Sequence, residues 1–340
     1  SQGGKGYIYN GKINFDVKKY NLDKIPDLKV KIMANVGTPE VAFKSSFLPV
    51  AGVGLAREEF IIADKIKIHP LALYHFDELK KKKQLKLEEI KKIEELTFGY
   101  KDKKQYYITE LAEGISQIAS AFFPRPVIVR FSDFKTNEYK NLVGGRLFEG
   151  EEPNPMIGFR GACRYIDPKF QPAFRLECEA IKKAREEFGL INIAVMVPFC
   201  RTLEEGKKVR QLIKDFGLDT QIKVYVMCEI PSNVVLADEF LDIFDGVSIG
   251  SNDLTQLMLG LDRDNGEIAY VANEKNQAVL EMIKKVIAVC KKRGKYCGIC
   301  GQAPSDYMDF AEFLMKEGIE SISLNPDTVI KTIYNLDKLK

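Results

Sequence analysis

The chain carries no excess of charge of either sign: 51 basic and 48 acidic residues over 340 positions leave a net charge of +3. That balance argues against a nucleic-acid partner and supplies no basic face for a membrane surface. No run of eighteen or more apolar residues occurs, so no membrane-spanning helix is expected. The first residues, SQGGKGYIYNGK, have neither the apolar centre of a signal peptide nor an initiating methionine, and the expected location is cytoplasmic. Histidine is scarce, with only His69 and His75. There is no Gly-rich nucleotide loop, no internal repeat and no low-complexity tract. Cysteines lack a disulfide framework: Cys163, Cys178, Cys200, Cys228, Cys290, Cys297 and Cys300 are odd in number and scattered, which reads as reduced thiols. Cys297 and Cys300 form a C-x-x-C with no second Cys or His pair at metal spacing, and strand alternation separates the two side chains.

What is present is an ordinary soluble composition, 45% hydrophobic and 29% charged, in a length that suits one eightfold α/β barrel with insertions. Short apolar β-like runs recur, each followed by a helical pattern, as in a parallel sheet built from βα units. Eight runs stand out: Val30–Val36, Gly52–Ala56, Val127–Phe131, Ile193–Val197, Lys223–Cys228, Gly246–Ile249, Cys297–Cys300 and Ser321–Leu324. Eight strands close a TIM (β/α)8 barrel. Helical patterns cover Phe170–Phe188, Leu203–Phe216, Ser232–Phe244, Glu274–Arg293 and Asp306–Lys316, with Ser232 and Ser305 as expected caps. Asp64–Phe123 has no strand signal and contains KKKKQLKLEEIKKIEEL, so it reads as a helical insertion after strand two with a solvated Lys face. Residues 1–26 differ in character: GKGYIYNGKINFDV alternates like a hairpin and NLDKIPDLK reads as a linker, the tail of a preceding domain before a barrel over 27–340.

The active site of such a barrel lies at the carboxyl ends of its strands. Those positions are polar here. Strand two ends at Arg57, strand three at Arg130, strand five at Glu229, strand six in Gly250, Ser251, Asn252 and Asp253, and strand seven at Cys300, while the loop after strand three adds Arg160. Glu229 and Asp253, on neighbouring strands, suit a hard divalent cation with positions left open for substrate oxygens, and Mg²⁺ fits best. Three arginines on one face offer bidentate donors to phosphate and carboxylate. A single Arg or carboxylate at a strand end is as often a structural ion-pair partner as a ligand. The coincidence of five strands carrying polar groups at the same end favours a site.

The motifs IMANVGTPE, GVGLAREEFI, VIVRFSDFKTNEY, NPMIGFRG, MVPF, MCEIPSN, IGSNDLTQLMLGLDRD, GICGQAPSD and SLNPD resemble the barrel domain of the phosphoenolpyruvate-utilising enzymes, from about Val30 to the C-terminus. GICGQAPSD and GFRG are more similar to the phosphoenolpyruvate synthase version than to pyruvate phosphate dikinase or enzyme I of the sugar phosphotransferase system, which share the barrel. The resemblance implies a pyruvate/phosphoenolpyruvate-binding catalytic domain that uses Mg²⁺. Phosphoryl transfer would run between a phosphohistidine on another domain and the pyruvate enolate. The overall reaction, of gluconeogenesis, would take ATP, pyruvate and water to AMP, phosphoenolpyruvate and phosphate.

By the same resemblance Arg57 and Arg130 hold the substrate's phosphate and carboxylate, with Arg160 as a supporting contact. Glu229 and Asp253 match the Mg²⁺ ligands; Gly250, Ser251 and Asn252 match the loop that grips substrate; Cys300 matches the acid/base at pyruvate C3. A thiol's ordinary pKa of about 8.5 suits that task if neighbouring arginines or a metal bring it nearer neutrality. Neither His69 nor His75 lies in the Thr-x-His-Ala type of setting of the family's phosphohistidine, and His69, before Pro70, reads as a packing or surface residue. The ATP-binding and phosphohistidine domains would be partners from the same enzyme, and the chain alone would not run the overall reaction. The resemblance further implies a homodimer or larger homo-oligomer, and an oligomerisation module is the competing reading from another class.

Overall fold

Strands buried on both faces read as continuous apolar runs, and the eight runs of this chain form eight parallel strands for that reason. The computed structural model describes residues 10–12, 17, 19–22, 24–218, 221–262 and 265–338. The strands are β1 (Lys31–Val36), β2 (Val53–Arg57), β3 (Val127–Arg130), β4 (Ile193–Val197), β5 (Val224–Cys228), β6 (Gly246–Ile249), β7 (Tyr296–Ile299) and β8 (Ser321–Leu324). They pair in chain order and close into one barrel, with β8 returning to β1 from Lys31 opposite Ser321 to Ala34 opposite Leu324. This is the TIM-type α/β barrel expected.

Side chains alternate between the barrel interior and the layer beneath the helices. On β3, Val127 and Val129 join the helix-facing core whereas Ile128 joins the interior cluster with Leu55, Ala194, Met196, Met227 and Cys300. Cys297 belongs to the helix-facing core and Cys300 to the interior, so the C-x-x-C is split across the wall as alternation requires. Continuing the interior rows upward from Ile128, Met227 and Gly298 leads to Arg130, Glu229 and Cys300 at the barrel mouth. β2 breaks this rule: its register against β3 slips between Val53 and Ala56. Strict alternation from the outward Val53 would turn Arg57 outward; the irregularity puts Ala56 in the helix-facing core and turns Arg57 to the pocket.

Between β2 and β3 lie only helices apart from an isolated bridge of Ile68 to Val143. The long helix Lys103–Phe122 is the barrel's own β2–β3 helix, packed against Gln171–Glu186 and Pro39–Ser46. The added part is therefore the shorter set Pro70–Tyr74, Phe76–Lys81 and Leu87–Leu96. Lys80, Lys81, Lys82 and Lys83 are exposed, as a solvated face should be. His69 is a packing residue. It is fully buried and stacks on Phe148 at 5.0 Å. Its Nδ1 accepts from Leu71 N at 3.2 Å, which leaves Nε2 to carry the proton toward Glu149 at 3.2 Å.

Three boundaries differ from expectation. Ser232 caps nothing; the helix opens at Pro231, and 232–244 divides into Pro231–Val235 and Ala237–Ile243, while Ser232 Oγ donates to Arg201 O at 2.8 Å. Ser305 lies inside the short helix Ala303–Asp306, where its hydroxyl accepts from Asn325 N at 3.0 Å, and the next helix starts at Met308. The helix expected from Glu274 begins at Gln277, because Asn276 Oδ1 accepts from Ala278 N at 2.9 Å and acts as the cap. The hairpin expected over residues 4–17 lies almost wholly outside the described residues. No helix among the described residues is long and apolar enough to cross a membrane.

Candidate active site

The barrel mouth opens into a cavity of about 510 Å³. Its wall includes Arg57, Arg130, Arg160, Glu229, Gly250, Asn252, Asp253 and Cys300, drawn from six separate strand ends and loops. Of the residues singled out in the sequence, Ser251 alone stays out of the wall. It is fully buried and its hydroxyl donates to Glu274, while a Cβ at Gly301 would stand only 1.8 Å from its oxygen. Ser251 is thus a packing partner that requires glycine at 301.

Arg130 and Arg160 arrive with carboxylates attached. Arg130 pairs with Glu59 at 2.8 Å and approaches Asp133 at 3.7 Å. Arg160, 4% exposed, grips Asp133 through Nε and Nη2 at 2.9 and 2.6 Å, and its Nη1 reaches Asp253 at 3.3 Å and Met156 O at 3.0 Å. Its guanidinium also lies 4.1 Å above the Phe199 ring. Arg160 therefore braces Asp133 and Asp253, and Arg57 and Arg130 form the cationic wall nearer the open space. Asp133 and Glu59 were not singled out in the sequence: Glu59 follows Arg57 by two residues yet pairs with Arg130, and Asp133 follows Arg130 by three yet is held most closely by Arg160. Lys135 and Met227 also line the cavity, without any local signal that marks them.

Glu229 is 1% exposed, and its Oε1 accepts from Phe199 N at 2.7 Å. Burial, then the negative charges of Asp253 and Asp133, push its carboxyl up to about 8, against the pull of Arg160 and Arg130. Its Oε2 lies where a Cβ at Gly250 would come within 3.0 Å, so glycine keeps that space open. A buried carboxylate pair that raises the cost of its own ionisation is what a bound cation would relieve. Among the described residues no three His, Cys, Asp or Glu side chains gather as a metal cage. Glu229 and Asp253 beside open volume still fit a hard cation that takes its remaining ligands from water and substrate, which is the habit of Mg²⁺.

Cys300 is buried among Leu55, Ile128, Met196 and Met227, with its Sγ 3.7 Å from Ile249 O. Burial raises its thiol above the ordinary range, and Ser248, Arg130 and Arg57 pull back without reversing this. The near-neutral thiol expected from arginine neighbours is therefore not what burial leaves at Cys300. At neutral pH the group is a thiol and a proton donor. Asn252 Oδ1 accepts from Gln302 N at 3.1 Å, which ties the β6 and β7 loops together beside Cys300.

Comparison with known proteins fits this geometry. Residues 16–340 match the family model of the PEP-utilising enzyme, PEP-binding domain. The chain is 51% identical to a phosphoenolpyruvate synthase of Aquifex aeolicus over 98% of its length, and 52% identical to that of Synechocystis over 100%. Against that of Escherichia coli it is 49% identical over 100%. It covers 44%, 41% and 43% of those three proteins, so it spans less than half the length of the relatives it matches. A solved HpcH/HpaI aldolase/citrate lyase family protein from Burkholderia cenocepacia aligns over 92% of the chain at 12% identity and a TM-score of 0.45, too remote to carry any detail. With a family model matched over nearly its whole length and a pocket built at the mouth of a closed eight-stranded barrel, the chain belongs to the phosphoenolpyruvate-utilising enzymes, as a phosphoenolpyruvate-binding domain.

Proposed function

We propose that the chain is the pyruvate/phosphoenolpyruvate-binding barrel of a phosphoenolpyruvate synthase. The observation that carries this reading is the convergence of Arg57, Arg130, Glu229, Asp253 and Cys300 on one cavity. Arg57 and Arg130 present fork-shaped donors to a carboxylate and a phosphate, the two anionic groups of phosphoenolpyruvate. Glu59 and Asp133 fix the direction of the Arg130 fork, and Arg160 lies between Asp133 and Asp253 and bonds both. Glu229 and Asp253 would hold Mg²⁺, which would supply positive charge beside the substrate oxygen that becomes negative when the C3 proton leaves.

Cys300 moves the proton. In the direction of synthesis its thiolate takes one proton from the pyruvate methyl group. The C–H electron pair becomes the C2=C3 bond, and the carbonyl oxygen takes the negative charge and then the phosphoryl group. In reverse, the thiol donates that proton to C3. The phosphoryl group comes from a phosphohistidine on another domain of the longer enzyme, with ATP, AMP and phosphate handled there. Backbone N–H groups of Asn252 and Asp253, in the first turn of the helix Ser251–Leu259, add partial positive charge at the same rim.

Calorimetry with oxalate, a planar mimic of the pyruvate enolate, tests the reading. Binding is expected with Mg²⁺ and at least roughly tenfold weaker without it, because the ion supplies the neutralising charge between two carboxylates and an anionic ligand. Equal affinity with and without the metal contradicts it.

A further inference from the structure

Behind the pocket wall a second pair of carboxyls lies wholly inside the protein. Glu58 directly follows Arg57 and opens the helix Glu58–Ile61, and Glu177 comes from the middle of Gln171–Glu186; both are 0% exposed. They meet side chain to side chain. Glu177 is anchored on the end of β3: Oε2 accepts from Ser132 N at 3.2 Å and Oε1 from Ser132 Oγ at 2.6 Å. Ser132 stands between Arg130 and Asp133, and its hydroxyl also meets Tyr139 OH at 2.8 Å. Neither oxygen of Glu58 meets a hydrogen-bond donor.

Two ionised carboxylates only accept, so this contact is a hydrogen bond only if one of them carries a proton. The groups facing the pair are Glu59 and Arg130 from the pocket side and Tyr107, Tyr139, Tyr165 and Cys178 from the helices and loops. Arg130 is the cation among them, and its guanidinium is already paired with Glu59 at 2.8 Å. Charge neutralisation therefore falls to a proton.

We propose that Glu58 and Glu177 share a single proton and, as positioning residues, tie the strand end that carries Arg57 to the strand end that carries Arg130. Substrate would bridge those two arginines from the front; the carboxyl pair fixes their spacing from behind. This inference rests on the reading of the pocket as an anion site. Burial raises both groups, and Glu58 more, because the Ser132 donors hold Glu177 down. Glu58 thus keeps the proton and Glu177 accepts it. A raised carboxyl contributes stability that is complete below the ordinary carboxyl range and is lost as pH climbs through the folded value.

Unfolding of the 340-residue chain by urea, from pH 6 to 9, separates the outcomes. Glu58→Gln keeps an N–H donor toward Glu177 and has nothing to ionise. Relative to it, the wild type should lose about tenfold in folding constant per pH unit over the window where one extra proton is held. Parallel curves, or a Glu58→Gln chain that does not fold, overturn the shared proton. Positioning is read from Mg²⁺-dependent oxalate binding: Glu58→Ala should weaken it roughly tenfold or more, and Glu58→Gln should restore it. If Glu58→Ala does not fold, Ser132→Ala, which loosens Glu177 from β3, gives the same readout. Wild-type affinity in the folded variant overturns the positioning role. A wild-type chain that binds no oxalate defeats the anion-site reading instead, and the pH comparison still decides the pair.

Discussion

Replacing Cys300 by alanine removes the thiol that reaches the pocket, and the expected loss follows from its surroundings. The side chain is buried in an apolar ring of Leu55, Ile128, Met196 and Met227, so truncation costs little in folding, about 1 kcal/mol for a small cavity. The chemical cost is far larger. A positioned acid or base contributes roughly two to four orders of magnitude, and water has poor access to a group 5% exposed. Exchange of the pyruvate C3 protons with deuterium, followed by NMR in the presence of Mg²⁺, isolates this step from phosphoryl transfer. Because burial raises the thiol above its ordinary value, the reactive thiolate is a minor species at neutral pH. Wild-type exchange should therefore climb about tenfold per pH unit from pH 6 to 9, without a plateau near 7. Cys300→Ala should fall by roughly 100-fold or more, and Cys300→Ser nearly as far, since a hydroxyl is a much weaker acid. Cys297→Ala is the control, because that side chain packs on the helix side of β7. Wild-type exchange in Cys300→Ala, or loss in Cys297→Ala, would refute the assignment.

Glu229→Gln and Asp253→Asn should each lose most Mg²⁺-dependent oxalate affinity in calorimetry, and Glu229→Gln should leave urea stability unchanged or higher, since it relieves repulsion between buried carboxylates. Asp133→Ala should destabilise by about 3 kcal/mol, because Arg160 would keep its buried charge with only the longer Asp253 contact at 3.3 Å; thermal unfolding checks it. The 340-residue chain with pyruvate, ATP and Mg²⁺ should form no phosphoenolpyruvate by a coupled assay, since the nucleotide and phosphohistidine steps are assigned to other domains.

Much of the barrel was legible because strands buried on both faces announce themselves as apolar runs, and the polar residue that ends each run marks the rim. Arg130, Glu229 and Cys300 needed only period-two alternation to be placed inside. Arg57 did not follow from that rule: the irregularity in β2 that turns it inward has no residue signature in VGLAR, since it is a matter of register against β3. Ser251 illustrates the opposite limit. Its neighbours Gly250 and Asn252 line the cavity, yet the first helical turn swings its hydroxyl toward Glu274, a residue distant in sequence. The partners of the arginines were hidden for the same reason, as Asp133 gains its meaning only when the 154–161 loop folds Arg160 over it. Ser232 and Ser305 misled as caps because each hydroxyl serves a tertiary contact, with Arg201 O and Asn325 N respectively.

On the proposed function, one cation site made by Glu229 and Asp253 organises the pocket for a planar anion between Arg57 and Arg130. Crystals of this chain grown with Mn²⁺ and oxalate, with Mn²⁺ standing for Mg²⁺, test it through the anomalous signal of the metal. A single strong peak is expected at the barrel mouth within about 2.3 Å of an oxygen from each of Glu229 and Asp253, with oxalate completing the shell and facing the two arginines. A peak elsewhere, or oxalate bound in the pocket with no metal between those carboxylates, would contradict it.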